Sequence, residues 1–255
     1  MSDAPFIDFE ARWVVVPGAS SGLGRAIALE LGRCGARVIL VGRNQEKLEE
    51  TQALLPVGRA RVVVQDLSSV GVIGSRMREV SREVGRLYGL CYCAGVVETR
   101  PLASFEAARF ARMIDVNVTA GLEMARAVSR QDVIEPAGGA LLFVTSIYAW
   151  VGMPGQLAYS ATKGAMIAAA RVLAVELARR RIRVNTLSPG LVHTPLSDGA
   201  LRLLSDEQVK ELEAAYPLGV GAPEDVARCA VFLLAPQNRW MTGADLVVDG
   251  GYMAR

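Results

Sequence analysis

The sequence predicts an α/β protein built on a doubly wound, seven-stranded parallel sheet with helices on both faces. Three observations predict it. Short β-branched runs alternate with longer segments whose apolar residues recur at helical spacing. The short runs are apolar on both faces, as strands buried from two sides must be. At 255 residues and about half hydrophobic by composition, the chain fits one compact α/β unit.

The strands are expected at WVVVP (13–17), RVILV (37–41), RVVVQ (61–65), LYGLCYC (87–93), ALLFVTS (140–146), RIRVNTL (181–187) and DLVVDG (245–250). After the first strand, GLGRAIALELGRCG has helical periodicity and ends on glycine, as a helix closing in a left-handed cap does. No repeat, low-complexity tract or linker interrupts the pattern, so residues 1–255 read as one domain. The longest irregular stretch follows Pro189. Residues around 191–220, with LLSDEQVKELEAAYPLG, read either as a solvated helix or as a substrate lid above the carboxyl ends of the strands.

Lys and Arg number 28 against 26 Asp and Glu, and a net charge of +2 gives no electrostatic reason to expect nucleic acid or an anionic membrane as partner. The opening MSDAPFIDFEARW lacks an export signal, and no apolar run approaches the roughly 18 residues of a membrane span, which predicts a cytoplasmic protein. Cys91 and Cys93 share one face of an alternating strand and read, with Cys34 and Cys229, as reduced thiols. With His193 as the single histidine, no metal site is expected.

The first strand runs into PGASSGLG, where Gly18, Gly22 and Gly24 are spaced G-x-x-x-G-x-G at a strand-to-helix turn. Glycines there clear space for a pyrophosphate, and the helix amino terminus offers it free N–H groups and a favourable dipole. Ser20 and Ser21 add hydroxyl donors. At the end of the second strand an acidic residue would bind the ribose hydroxyls of NAD; this chain has Gly42 and Arg43 instead. The Arg43 guanidinium suits a 2′-phosphate, so NADP(H) is preferred over NAD(H). Asp66, ending the third strand, reads either as a partner of the adenine amino group or as a helix cap.

Ser146 ends the fifth strand, and YSATKGAMIAAARVLAVELA begins a long helical pattern with Tyr159 and Lys163 four apart on one face. The ammonium beside the phenol is expected to lower the tyrosine pKa, so that Tyr159 exchanges a proton with a carbonyl or alcohol oxygen while Ser146 stabilises that oxygen.

Together with PGASSGLG, the DL pair at Asp66 and Leu67, CAG at 93–95, Asn117 in DVNV, SPG at 188–190 and VVDGG, these residues resemble the single-domain branch of the short-chain dehydrogenase/reductase family. The likeness extends to its 3-oxoacyl reductases. The resemblance implies a Rossmann-like fold and a ketone to secondary alcohol interconversion with Tyr159 as general acid/base. It further implies that Asn117, in the crossover between the fourth and fifth strands, helps hold a water that relays protons with Lys163, and that Lys163 binds the nicotinamide ribose. Leu23, Ala94 and Gly95 would join the cofactor site, and Pro189, Gly190, Val192 and Thr194 would lie against the nicotinamide. Two positions depart from the family pattern: Pro17 stands where threonine is usual, and Tyr92 and Cys93 where asparagines are. Apolar packing is expected to replace the hydrogen bonds lost.

Between Ser146 and Tyr159, Tyr148, Trp150 and Met153 are expected to wall an apolar substrate pocket, with His193 at the opposite rim. A small-molecule ketone or secondary alcohol is the expected substrate. The other readings are a nucleotide-sensing protein on the same fold and a sugar-modifying epimerase or dehydratase. The former tends to lack the tyrosine or lysine, and the latter usually carries an added domain for which this chain has no room. By resemblance, the helix around ASFEAARFARMIDVNVTAGLEMARAV and the Tyr159 helix would pair into a homodimer or homotetramer.

Overall fold

The computed structural model describes residues 7–201 and 205–254. Seven parallel strands form one sheet in the order β3-β2-β1-β4-β5-β6-β7. They are β1 (Trp13–Pro17), β2 (Arg37–Gly42), β3 (Ala60–Val64), β4 (Leu87–Tyr92), β5 (Gly139–Val144), β6 (Ile182–Pro189) and β7 (Asp245–Val248). All seven fall where β-branched density placed them, with ends moved by a few residues. β4, β5 and β6 are buried along their whole length, because helices cover both of their faces.

The strands' alternating side chains split the core in two. Val15, Leu90, Phe143 and Val184 pack against α3 (Ile73–Val84), α5 (Ala120–Val128) and α6 (Leu157–Leu177). Val14, Val16, Leu40 and Leu142 face α1 (Gly22–Arg33), α2 (Gln45–Ala53) and α9 (Pro223–Leu234). The chain leaves β3 and returns to β4 on the far side of β1, so connections diverge between β1 and β4. In doubly wound sheets that divergence opens a crevice at the carboxyl ends of the strands.

Local sequence explains the boundaries. Asn44 caps α2 by accepting the Lys47 N–H at 2.9 Å. Pro223 begins α9, and Asp225 reaches back to the Ala222 N–H at 2.9 Å. Between α4 (Ala107–Ile114) and α5, residues Asp115–Thr119 form a π-helical turn containing Asn117. Pro17 ends β1, and the β1–β4 register stops at Val15, before the position where proline has no N–H to give. Its carbonyl still accepts the Cys93 N–H at 3.0 Å. Tyr92 is buried in the core, with its hydroxyl donating to the Val116 carbonyl at 2.6 Å.

The stretch after Pro189, read from sequence as a solvated helix or a lid, is helical in part. Val192 bridges Gly221, and α7 (Pro195–Leu201) and α8 (Asp206–Ala214) follow, the latter started by a Ser205–Gln208 capping box. Residues 202–204 of the expected lid lie outside the described residues. Among the described residues, no helix is long and apolar enough to cross a membrane.

Candidate active site

Two adjoining cavities open at the carboxyl ends of the strands. The first, of about 330 Å³, collects the sequence-predicted cofactor residues. Gly18, Ser20, Ser21, Gly22, Leu23 and Gly24 form one wall. Arg43, Asp66 and Leu67 stand at the ends of β2 and β3, and Ala94, Gly95 and Thr194 close the inner side. The glycines are there for space. Gly18 has φ +88°, and a Cβ on it would lie 2.8 Å from the Ala94 nitrogen; a Cβ on Gly24 would lie 2.2 Å from the Gly18 carbonyl oxygen. Ser21, at the N-cap of α1, makes no side-chain cap, so the first-turn N–H groups of a twelve-residue helix face the groove without a side-chain acceptor. This cradle fits the pyrophosphate of a dinucleotide.

Asp66 makes its hydrogen bonds locally. Its Oδ1 accepts the Ser68 N–H at 2.9 Å and the Ser68 hydroxyl at 2.8 Å, and these bonds hold the carboxyl below its ordinary range, with Arg43 adding to the effect. Asp66 is therefore a turn cap that also lines the groove.

The second cavity, of about 510 Å³, contains Ser146 and Tyr159 in its wall, together with Tyr148, Met153, Pro189, Gly190 and Val192. Ser146 is buried at the end of β5, and its Oγ accepts the Tyr148 N–H at 3.2 Å. Tyr159 lies in the first turn of α6. Lys163, one turn on, is buried; its Nζ donates to the Val144 carbonyl at 2.9 Å and stands 5.5 Å from the Tyr159 ring centroid. Asn117 is held from three sides. Its Oδ1 accepts the Val96 N–H at 2.8 Å, and its Nδ2 donates to the Val96 carbonyl at 2.9 Å and the Thr162 hydroxyl at 3.0 Å. A Cβ on Gly95 would come within 3.5 Å of both Asn117 Oδ1 and Lys163 Nζ, so Gly95 lies directly against both groups.

The electrostatics correct one expectation. The phenol of Tyr159 is pushed up to about 12, chiefly by desolvation, although part of the residue still meets solvent; the Ser146 hydroxyl pulls the other way. Burial lowers Lys163 to about 8. The ammonium is turned to the Val144 carbonyl, and both groups lose water, so the neutral forms gain. Tyr159 is a protonated phenol at neutral pH.

Two substrate residues read from sequence lie elsewhere. The Trp150 indole N–H donates to Asp245 Oδ2 at 2.7 Å on β7, and Arg171 stacks over its ring at 5.8 Å. His193 is exposed and does not line the cavity. Helical and strand patterns say nothing about where a loop aromatic points. Conversely, Val97, Thr99 and Tyr252 line the cavity unforeseen, while Gln156 comes from the segment between Ser146 and Tyr159 and Leu212 from the stretch read as a helix or lid.

A family profile described as enoyl-(acyl carrier protein) reductase matches residues 18–253. The 2-(S)-hydroxypropyl-CoM dehydrogenase 3 of Xanthobacter autotrophicus is 34% identical over 94% of this chain and 96% of its own. A short-chain type dehydrogenase/reductase from Mycobacterium ulcerans superimposes with a TM-score of 0.90 at 31% identity, over 98% of this chain and 92% of that one. The chain belongs to the short-chain dehydrogenase/reductase family. A family structure from Beutenbergia cavernae with NADP bound at low occupancy is similar at a TM-score of 0.89 and 31% identity, over 97% of this chain and 99% of that one. As a short-chain dehydrogenase/reductase, the protein is an oxidoreductase.

Proposed function

We propose that this protein interconverts a ketone and a secondary alcohol with NADP(H), and that Tyr159 is its general acid/base. The observation that carries the reading is the shared wall of Ser146 and Tyr159 in an apolar cavity joined to a glycine-lined anion cradle. When bound, the nicotinamide would supply or accept hydride at the substrate carbon. The Gly18–Gly24 turn and the α1 amino terminus would hold its pyrophosphate, and Lys163 its ribose.

The chain's own part is proton handling. A phenol protonated at neutral pH is ready to donate to a carbonyl oxygen as that oxygen gains charge, and Ser146 Oγ stabilises the same oxygen. Asn117, fixed in a π turn, and Lys163 flank Gly95 on the route by which Tyr159 would be reprotonated. Arg43, with no carboxylate at the end of β2, favours a 2′-phosphate, and NADP in the Beutenbergia cavernae relative supports the same choice.

Among the described residues, Glu211 is the only charged side chain lining the substrate cavity. Such a wall suits a bulky, uncharged carbonyl compound over an anionic one. Exposed Val172 and Val175 on α6 support the expected pairing into a dimer or tetramer, which light scattering checks.

The test is nicotinamide absorbance during turnover of neutral ketones and secondary alcohols with NADPH and NADH in parallel. Tyr159→Phe should lose roughly 10²- to 10⁴-fold in kcat while still binding NADPH. Equal activity in wild type and Y159F would refute the assignment.

A further inference from the structure

Among the described residues, two buried side-chain polar atoms have no hydrogen-bond partner, Trp13 Nε1 and Gln156 Oε1. Only Gln156 lines the substrate cavity. The residue is 7% exposed and occupies the N-cap of α6, but its side chain caps nothing. Instead Nε2 donates to the Thr99 hydroxyl at 2.8 Å, and Thr99 lines the same cavity. That bond fixes the amide, while the Arg100 N–H binds the Gly155 carbonyl at 2.8 Å and ties the two segments together. Gly155 itself has φ +80°, and a Cβ there would lie 2.9 Å from Thr99 Cγ2, so the close approach requires glycine.

A buried acceptor with no donor loses its bonds to water without replacement, and folded proteins rarely leave one without a use. Gln156 is the N-cap residue three positions before Tyr159, which lies in the first turn of α6, and both residues line the cavity wall where the reacting carbonyl must sit. The geometry points to Gln156 as a specificity residue whose Oε1 accepts a hydrogen bond from a substrate hydroxyl close to the reacting carbon. The preferred substrates are then hydroxyketones and the corresponding diols, with an apolar remainder packed against Met153 and Leu212. A plain hydrocarbon ketone of the same size would leave Oε1 unpaired. This inference rests on the proposed ketone chemistry only for its kinetic arm.

Two pairs of probes of matched size separate the possibilities. In turnover with NADPH, 2-hydroxyacetophenone is compared with propiophenone, which carries methyl in place of hydroxyl. In calorimetric binding to the NADP⁺-loaded protein, 1-phenylethane-1,2-diol is compared with 1-phenylpropan-1-ol. Wild-type protein should favour the hydroxylated member of each pair roughly tenfold or more, since a site built around a polar partner rejects the analogue lacking it. Gln156→Leu should abolish that preference in both turnover and binding, with a loss roughly tenfold greater for the hydroxylated member of each pair than for its methyl analogue, a split that general loss of structure would not produce. Gln156→Glu, which keeps an acceptor, should retain the preference. An absent preference in wild type, as when a buried water satisfies Oε1, or one that persists in Q156L, overturns the assignment. If neither ketone turns over, the ketone chemistry fails, and the binding pair still decides the role of Gln156.

Discussion

Replacing Lys163 with methionine is expected to stabilise the free protein at neutral pH while abolishing turnover. The residue is 6% exposed, and its ammonium donates to the Val144 carbonyl at 2.9 Å. Burial lowers its pKa from 10.5 to about 8. At about 1.36 kcal/mol per unit, holding the charged form inside the fold costs about 3 kcal/mol at pH 7. Methionine occupies similar space without charge but leaves the Val144 carbonyl without its donor, a loss of about 1 kcal/mol. The net gain is about 2 kcal/mol, or about 4–8 °C in Tm for a chain of this size.

The pH dependence separates desolvation from ordinary packing. Because the folded pKa of Lys163 lies below its unfolded value, the unfolded chain binds more protons between about pH 8 and 10.5. Wild-type stability therefore rises across that window, as the folded lysine sheds the charge that burial penalises. K163M lacks this rise, and its advantage shrinks with increasing pH. Tyr159 acts in the opposite sense above about pH 10, where the folded phenol keeps a proton that the unfolded chain has lost, so measurements belong below that pH. Thermal and urea unfolding of both proteins at one concentration, at neutral and mildly alkaline pH, supplies the numbers. A K163M protein less stable than wild type by the same amount at both pH values would refute the reasoning, because packing and hydrogen bonding would then outweigh desolvation.

Other substitutions test the cofactor cradle and the substrate wall. Arg43→Ala should weaken NADPH binding roughly tenfold or more and leave NADH binding within about twofold, as titration of cofactor fluorescence would show; equal losses would remove its phosphate role. Trp150→Phe removes the indole N–H that ties the segment after Ser146 to Asp245, whose carboxylate also accepts the Thr186 and Ser188 hydroxyls. Hydrogen exchange in residues 147–153 should quicken, with NADPH affinity unchanged; unaltered exchange would show that Trp150 anchors nothing.

Periodicity and motif spacing in the sequence determined the seven strands, the doubly wound class and the residues around the cofactor cradle. These properties are local, since a strand buried on both faces must be apolar throughout, and a glycine turn before a helix carries its anion site with it. The closeness of Ser146, Tyr159 and Lys163 was legible because a strand end and a helical spacing of four fix their neighbourhood. Only the tertiary structure decided what those groups feel and what surrounds them. Adjacency on a helix implied that Lys163 would lower the Tyr159 pKa, whereas packing from other elements turns the ammonium to Val144 and raises the phenol. Trp150 and His193 sit in the expected segments but do not line the cavity, and Gln156 meets Thr99 from a loop 57 positions distant. Side-chain direction in loops and the desolvation of a charge depend on atoms far along the chain, and no local pattern records them.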